Sequence, residues 1–158
     1  MIEYRVSKYN PAFRDMDGRY LRDEWTAVSD IGRSFGGAVL TREDYQRVED
    51  AYVATALGFL REAGCASLAV VGLENYGRCP SAPPEGAVVA EPQLGDMIRS
   101  ILRAEFWCLL EGGSCFLHFG YDYYLYVGVP SPCPQACLLA SRSGLFVEEF
   151  DSPYRRRE

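Results

Sequence analysis

Alternating apolar and polar residues predict a half-buried β-strand over residues 2–8, in which Ile2, Tyr4 and Val6 share one face. Gly112-Gly113 lies between two later apolar runs and indicates a two-residue hairpin turn. The apolar runs themselves predict further strands over 67–73, 105–110, 114–129 and 144–150. The late strands are therefore expected to form an antiparallel meander.

Helical spacing is clearest between Thr41 and Ala63. Thr41 is a suitable N-cap, and Gly64 is the glycine expected just after a helix end. The face that includes Glu49 and Val53 is expected to lie in water. The apolar positions of this helix are Tyr45, Val48, Tyr52, Ala56 and Phe59. The same spacing predicts a second helix over 94–104, and 135–141 is a candidate for a third, short one.

These elements fit a single α+β domain over residues 1–158, with an antiparallel sheet packed against two main helices. Residues 75–92 contain four prolines and two glycines and are predicted to be a surface loop. Residues 152–158 are predicted to be a frayed tail. Residues 11–40 lack a sustained period, so a short helix or a hairpin within them stays open.

The net charge of the chain indicates which kinds of partner it can bind. There are 16 basic and 22 acidic residues, giving a net charge of −6. A general nucleic-acid binder needs a positive surface, whereas an acidic surface suits a basic protein partner. No apolar run reaches the roughly 18 residues of a membrane-spanning helix. The first ten residues lack an apolar leader, so we expect a cytoplasmic protein that binds neither membrane nor nucleic acid.

The cysteines are expected to be reduced thiols without a metal. Six are present, but a cytoplasmic location disfavours disulfides. Cys133 and Cys137 have a C-x3-C spacing with no second pair, and the chain has one histidine, so a four-ligand zinc site is not expected. We predict no cofactor.

Catalytic motifs are not found in the sequence. It has no phosphate-binding glycine loop and no nucleophile elbow. His118 is the one candidate base, and Cys115 lies on the opposite face of its strand. Glu24 and Asp30 are the only suggestive carboxylate pair in the early loop, and chance pairs are common in an acidic chain. We therefore predict no catalytic residue.

Two groups of residues are candidates for partner binding. In the first, Asp23, Glu24 and Asp30 surround Trp25 in the early loop, where a tryptophan anchor and carboxylates suit a cationic partner. The alternative is that Trp25 fills the core while the carboxylates cap turns.

The second group follows Gly120, which is either a bulge or a tight bend. If the strand continues in register, His118, Asp122, Tyr124 and Tyr126 share one face. Tyrosines give large contact area at low entropic cost. A strand with aromatic packing on both faces is the alternative.

A resemblance to bacterial immunity proteins rests on three stretches, 20–32 (YLRDEWTAVSDIG), 105–111 (EFWCLLE) and 117–126 (LHFGYDYYLY). Such proteins are the cytosolic antidotes of polymorphic and contact-dependent-inhibition toxins. The resemblance implies a non-catalytic binder that occludes the active site of one cognate toxin. Two other hypotheses remain: a small-molecule-binding or enzymatic domain with an aromatic pocket around His118, Asp122 and Tyr124, and an interaction module unrelated to toxins.

Overall fold

The computed structural model describes residues 1–156. Over this range it contains nine strands and three helices. The strands are β1 (Ile2–Ser7), β2 (Ser34–Phe35), β3 (Ala38–Val39), β4 (Ser67–Glu74), β5 (Val88–Ala90), β6 (Trp107–Glu111), β7 (Phe116–Phe119), β8 (Leu125–Val129) and β9 (Phe146–Glu149). The helices are α1 (Arg42–Glu62), α2 (Gln93–Leu102) and α3 (Pro134–Arg142). None of the helices in this range is long and apolar enough to cross a membrane.

Seven strands form one antiparallel sheet in the order β5-β4-β6-β7-β8-β1-β9. The predicted α+β domain with an antiparallel sheet is confirmed. β1 lies between β8 and β9, so the first strand of the chain is an interior strand of the sheet. The short hairpin of β2 and β3 stands apart and belongs to the segment 11–40 that had no predicted structure.

α1 begins and ends where its capping residues predict. The Thr41 side chain accepts a hydrogen bond from the Asp44 N–H at 3.1 Å, and Gly64 takes a left-handed φ of +71°. The prediction that Glu49 and Val53 face water is wrong, because both are buried. α2 packs beside α1 and covers this face.

The helices cover one face of the sheet, and the core lies between the two layers. Side chains from alternate strand positions join those of α1 and α2 in one apolar cluster. The sheet contributes, among others, Val6, Leu68, Val70, Leu110, Leu117 and Val127. Cys108 and Cys115 also belong to this cluster, as expected for thiols in apolar runs.

The opposite face of the sheet is covered in part by the end of the chain. Ser152 is only 4% exposed, and the ring of Tyr154 lies 5.6 Å from that of Trp107. Glu3 holds this segment through Ser152 N–H, at 2.7 Å, and through an ion pair with Arg155. The segment from Ser152 to Arg155 is therefore held against the sheet and is not frayed; Arg157 and Glu158 lie outside the described residues.

The apolar run over 114–129, which was expected to be interrupted at Gly120, forms two strands. A turn over residues 120–124 divides it into β7 and β8, and the Gly120 N–H donates to the Tyr124 carbonyl at 2.9 Å. Of the two alternatives for Gly120, the tight bend is the correct one. The hairpin before it is also looser than predicted, because four residues, 112–115, connect β6 and β7. Residues 75–92 are not loop throughout, since their last part supplies the edge strand β5.

Gly128 is required by the sheet packing. It pairs with Phe116 across β7 and β8, and the Phe116 ring occupies the space that a Cβ atom would need. This ring stacks on His118 with a centroid distance of 4.0 Å. Any larger residue at position 128 would displace the Phe116–His118 stack.

Candidate functional site

Asp30 is a structural cap, whereas Asp23 stays at the surface. The buried Asp30 carboxylate accepts hydrogen bonds from the N–H groups of Thr26 and Ala27 at 2.9 and 3.2 Å. Asp23 is exposed and accepts a hydrogen bond from the Gly36 N–H at 3.1 Å. Of these two candidate binding residues, only Asp23 remains accessible to a partner.

The Lys8 ammonium connects Glu24 to Trp25. It donates to the Glu24 carboxylate at 3.0 Å and lies 4.2 Å from the centroid of the Trp25 ring. Burial lowers the pKa of Lys8, and the Glu24 carboxylate opposes that shift. Both candidate residues are thus engaged by a cation within the same chain.

Trp25 packs at the periphery of the core. Its ring is half-buried and contacts the buried rings of Tyr45 and Tyr123, at centroid distances of 5.3 and 5.0 Å. This geometry favours the alternative in which Trp25 fills a gap in the core. The early loop as a whole is therefore a structural cover over α1 and the 120–124 turn.

Tyr124 and Tyr126 lie on the sheet face opposite the helices. Tyr126 is buried and pairs with His118 across β7 and β8. Tyr124 is half-buried, and its hydroxyl accepts a hydrogen bond from the Arg14 guanidinium at 2.8 Å. His118, Tyr124 and Tyr126 therefore share a face as predicted, but Asp122 lies in the turn and leaves this set.

His118 joins two segments of the chain across the sheet. It is 1% exposed, with Nδ1 2.7 Å from the Ser152 hydroxyl and Nε2 3.1 Å from the Glu111 carboxylate. Since a carboxylate only accepts, Nε2 carries the proton and Nδ1 accepts from Ser152. Burial lowers the pKa of His118, opposed by the hydrogen bond to Glu111.

The group Ser152–His118–Glu111 has the residue types of an acyl-transfer triad, a grouping that the sequence did not reveal. A nucleophile must contact its substrate, however, and Ser152 is covered by its own segment, whose Tyr154 N–H also donates to its hydroxyl at 3.3 Å. The arrangement therefore fastens the segment around Ser152 to the sheet.

The most distinctive concave surface lies elsewhere, and we call it the tyrosine groove. It is a cavity of about 520 Å³ bounded by residues 26–29, 74, 76–77, 101–107 and 119–123. Two tyrosines on its lining, Tyr76 and Tyr121, are 87% and 83% exposed. Asp122 is the one predicted site residue that lines it. His118 lines a different cavity, and Tyr124 lines neither, so the three residues of the predicted aromatic pocket are not brought together.

Backbone strain is concentrated around the tyrosine groove. Among residues 1–156, four residues other than glycine have a positive φ: Arg78 (51°), Ala104 (57°), Asp122 (61°) and Tyr123 (68°). Three of them line the groove, and Arg78 follows the lining residue Gly77. Each such residue costs on the order of 1–3 kcal/mol and persists only where surrounding contacts hold it, which is common at functional sites.

Buried tyrosine hydroxyls hold the 120–124 turn in its strained conformation. The Tyr9 hydroxyl donates to the Asp122 carbonyl at 2.6 Å, and the Tyr52 hydroxyl donates to the Tyr123 carbonyl at 2.8 Å. The Tyr123 side chain points inward and is buried. Tyr121, on the same turn, is consequently presented to solvent from a fixed backbone.

Asn75 fixes the second turn at the groove. Its side chain accepts a hydrogen bond from the Cys79 N–H at 2.8 Å and donates to the Cys79 carbonyl at 3.1 Å. Tyr76 lies at the tip of this turn. Both exposed tyrosines are therefore carried by turns with defined hydrogen bonds. The sequence pattern did not single out these two tyrosines, because Tyr76 lies in the segment predicted as a loop and Tyr121 in the run predicted as a strand.

The back of the groove is anchored by a buried carboxylate. Glu49 is 0% exposed and accepts hydrogen bonds from Arg103 at 2.8 Å, from Tyr45 at 2.7 Å and from Arg99 at 2.9 Å. Burial alone would raise the pKa of Glu49, but these hydrogen bonds outweigh it and lower the pKa to about 2. Arg103, which lines the groove, is thereby committed to Glu49.

Titratable groups elsewhere offer little further chemistry. Burial raises the pKa of Cys108 to about 12 and that of Cys133 to about 11, so these thiols stay protonated at neutral pH. Over residues 1–156 the cysteines form no disulfide, and no group of three metal-ligating side chains comes together.

Comparisons of the chain with protein-family models, with curated proteins and with solved structures found no match.

Proposed function

We propose that this chain is a non-catalytic immunity protein, which binds a cognate bacterial toxin through the tyrosine groove and occludes the toxin's active site. The observation that carries the proposal is the pair of strained, hydrogen-bonded turns that present Tyr76 and Tyr121 to solvent. A preorganised aromatic side chain loses little entropy on binding, so it suits an interface anchor.

The chemistry available in the groove supports binding over catalysis. The guanidinium of Arg103 is held by Glu49, and the one histidine is buried under the other face of the sheet. General acid–base work needs a titratable group in contact with substrate and with a pKa near the working pH. The net charge of −6 favours fast encounter with a basic toxin.

The proposal changes which residues contact the toxin. Tyr76, Tyr121 and Asp122 make direct contact, and Asp23 is an exposed residue outside the groove. The other six predicted site residues act within the fold: Glu24, Trp25, Asp30, His118, Tyr124 and Tyr126.

The test is co-expression with the toxin domain encoded by the neighbouring gene, combined with a measured dissociation constant. Wild type should rescue growth, and Tyr121→Ala should weaken binding by about 2 kcal/mol, chiefly through faster dissociation. Leu138→Ala is the matched control, because Leu138 is an exposed apolar residue on α3 that does not line the groove. Failure of the wild type to rescue growth or to form a complex would refute the proposal.

A further inference from the structure

We infer that the tyrosine groove is a cation site, which receives an arginine or lysine side chain from the protein partner between Tyr76 and Tyr121. The inference rests on the proposed function, and it specifies the chemistry that the partner must bring. The occupant is a positively charged protein segment, and the argument for it comes from the charges and rings that line the groove.

The lining of the groove carries more acidic than basic side chains. Glu74, Glu105 and Asp122 line it and are exposed. Over residues 1–156 none of these three carboxylates forms an ion pair with a basic side chain. Arg103, the one basic residue of the lining, already binds Glu49 through two nitrogens at 2.8 Å. Glu105 also interacts electrostatically with Arg103. A cation that enters the groove therefore meets Glu74 and Asp122 without a competing ion-pair partner.

The two exposed tyrosines complement these charges. The face of an aromatic ring attracts a guanidinium or ammonium group, and an arginine also stacks on such a ring. The apolar side chains of Ile101, Leu102 and Phe106 also line the groove. The methylene groups of a long basic side chain can pack against these apolar side chains, while its charged group stays at the solvent-exposed rim of the groove. A purely apolar ligand would leave the carboxylates of Glu74 and Asp122 partly desolvated and unpaired.

The shape of the groove also favours selectivity between partners, because hydrogen bonds fix its turns before a partner binds. Asp122 is held in a left-handed conformation by the hydrogen bond from Tyr9 to its carbonyl. Asparagine tolerates this conformation well. Asp122→Asn therefore removes one charge from the groove while keeping the turn, which makes it the sharpest available variant. Glu43→Gln removes the same charge from an exposed site in the first turn of α1.

The first experiment uses small probes and the full chain. A capped arginine peptide and the same peptide with citrulline, which keeps the shape without the charge, are titrated while backbone amide shifts are recorded. We expect changes confined to residues 74–77, 101–107 and 119–123, with affinity for the arginine peptide at least about five-fold higher. Asp122→Asn should lower that affinity and Glu43→Gln should not. Equal response to both peptides, or shifts elsewhere, would overturn the inference.

The second experiment uses the complex with the neighbouring toxin domain. A photo-crosslinking amino acid at position 121 should capture a toxin segment that contains arginine or lysine, and the same group at position 138 should not. Replacing that toxin side chain by glutamine should weaken binding at least about ten-fold, and Tyr121→Ala should add little in that background.

The two proposals fail in different ways. Neutralisation by the wild type, with crosslinks only to a segment without basic residues, would overturn the cation site and leave the immunity function. Binding of the arginine peptide without any complex with the toxin would overturn the immunity function and leave the cation site. A homodimer in which position 121 crosslinks to a second copy of this chain would also overturn the inference.

Discussion

The Tyr123 hydroxyl donates a hydrogen bond to the Tyr45 hydroxyl at 3.0 Å, in the buried space between the 120–124 turn and α1. Tyr45 in turn donates to Glu49 at 2.7 Å. Burial raises the pKa of both tyrosines, so both hydroxyls stay protonated and can act as donors. A single relay thus connects a surface turn with the carboxylate that holds Arg103.

The relay predicts unequal effects for two similar substitutions. Tyr45→Phe removes the donor to a buried carboxylate and leaves the Tyr123 hydroxyl unpaired, so the free energy of unfolding should fall by about 2–3 kcal/mol. Tyr123→Phe removes one hydrogen bond between neutral groups and should cost about 1 kcal/mol. Urea unfolding followed by tryptophan fluorescence gives both values. Equal losses would show that the two hydroxyls are not coupled in this order.

The hydrogen-bonded Glu49 carboxylate is expected to make the stability of the fold depend on pH in the acid range. Its pKa is about 2 in the folded chain against 4.5 ordinarily. The unfolded state therefore takes up the proton first as the pH falls, so the stabilisation is complete above pH 4.5 and is lost through pH 2. Glu49→Gln should lower the free energy of unfolding at pH 7 by about 2 kcal/mol or more. It should also flatten the dependence of stability on pH in that acid window, measured by urea unfolding.

His118 is expected to make stability depend on pH in a second range, separate from that of Glu49. Its pKa is lower in the folded chain than the ordinary value of 6.5, chiefly because the ring is buried. As the pH falls below 6.5, protons bind the unfolded state preferentially, so stability should decline there and be fully present above it. The free energy of unfolding measured between neutral pH and pH 5 should show this slope in wild type. His118→Gln should abolish the slope, and persistence of the slope would assign it to another group.

Substitutions of Asp122 test whether the strained turn requires a residue type that tolerates a positive φ. Its φ of +61° is accessible to asparagine and glycine but is costly for a β-branched residue. Asp122→Asn should leave the free energy of unfolding within about 0.5 kcal/mol of wild type. Asp122→Val should lower it by about 1–2 kcal/mol. A neutral Asp122→Val variant would mean that the turn relaxes at little cost.

The sequence correctly predicted the ends of α1, because they depend on residues that are close together in the chain. Thr41 and Gly64 marked the ends of α1 because capping depends on neighbours within a few residues. The burial of Glu49 was missed because the guanidinium groups that allow it belong to Arg99 of α2 and to Arg103 just after it, about 50 residues later in the chain. Periodicity within one helix carries no information about such a partner.

The sequence did not distinguish a bulge from a tight bend at Gly120 for a similar reason. The alternation of residues 114–129 continues across the turn, and Tyr123 is an unusual residue for a left-handed backbone. The hydroxyls of Tyr9 and Tyr52 stabilise that conformation, and they come from distant parts of the chain. The tyrosine groove could not be predicted because its walls come from four separated segments.

The position of β1 between β8 and β9 bears on how the protein is made. β1 leaves the ribosome well before its partners, which lie more than 100 residues later, with Ile2 opposite Val129 and Arg5 opposite Glu148. Until β8 has emerged, the nascent β1 has no sheet to join, and such non-local pairing is slow to form. An interrupted translation product lacking β8 and β9 would have an incomplete sheet with unpaired edges, making it a substrate for cellular proteases rather than a partly folded domain.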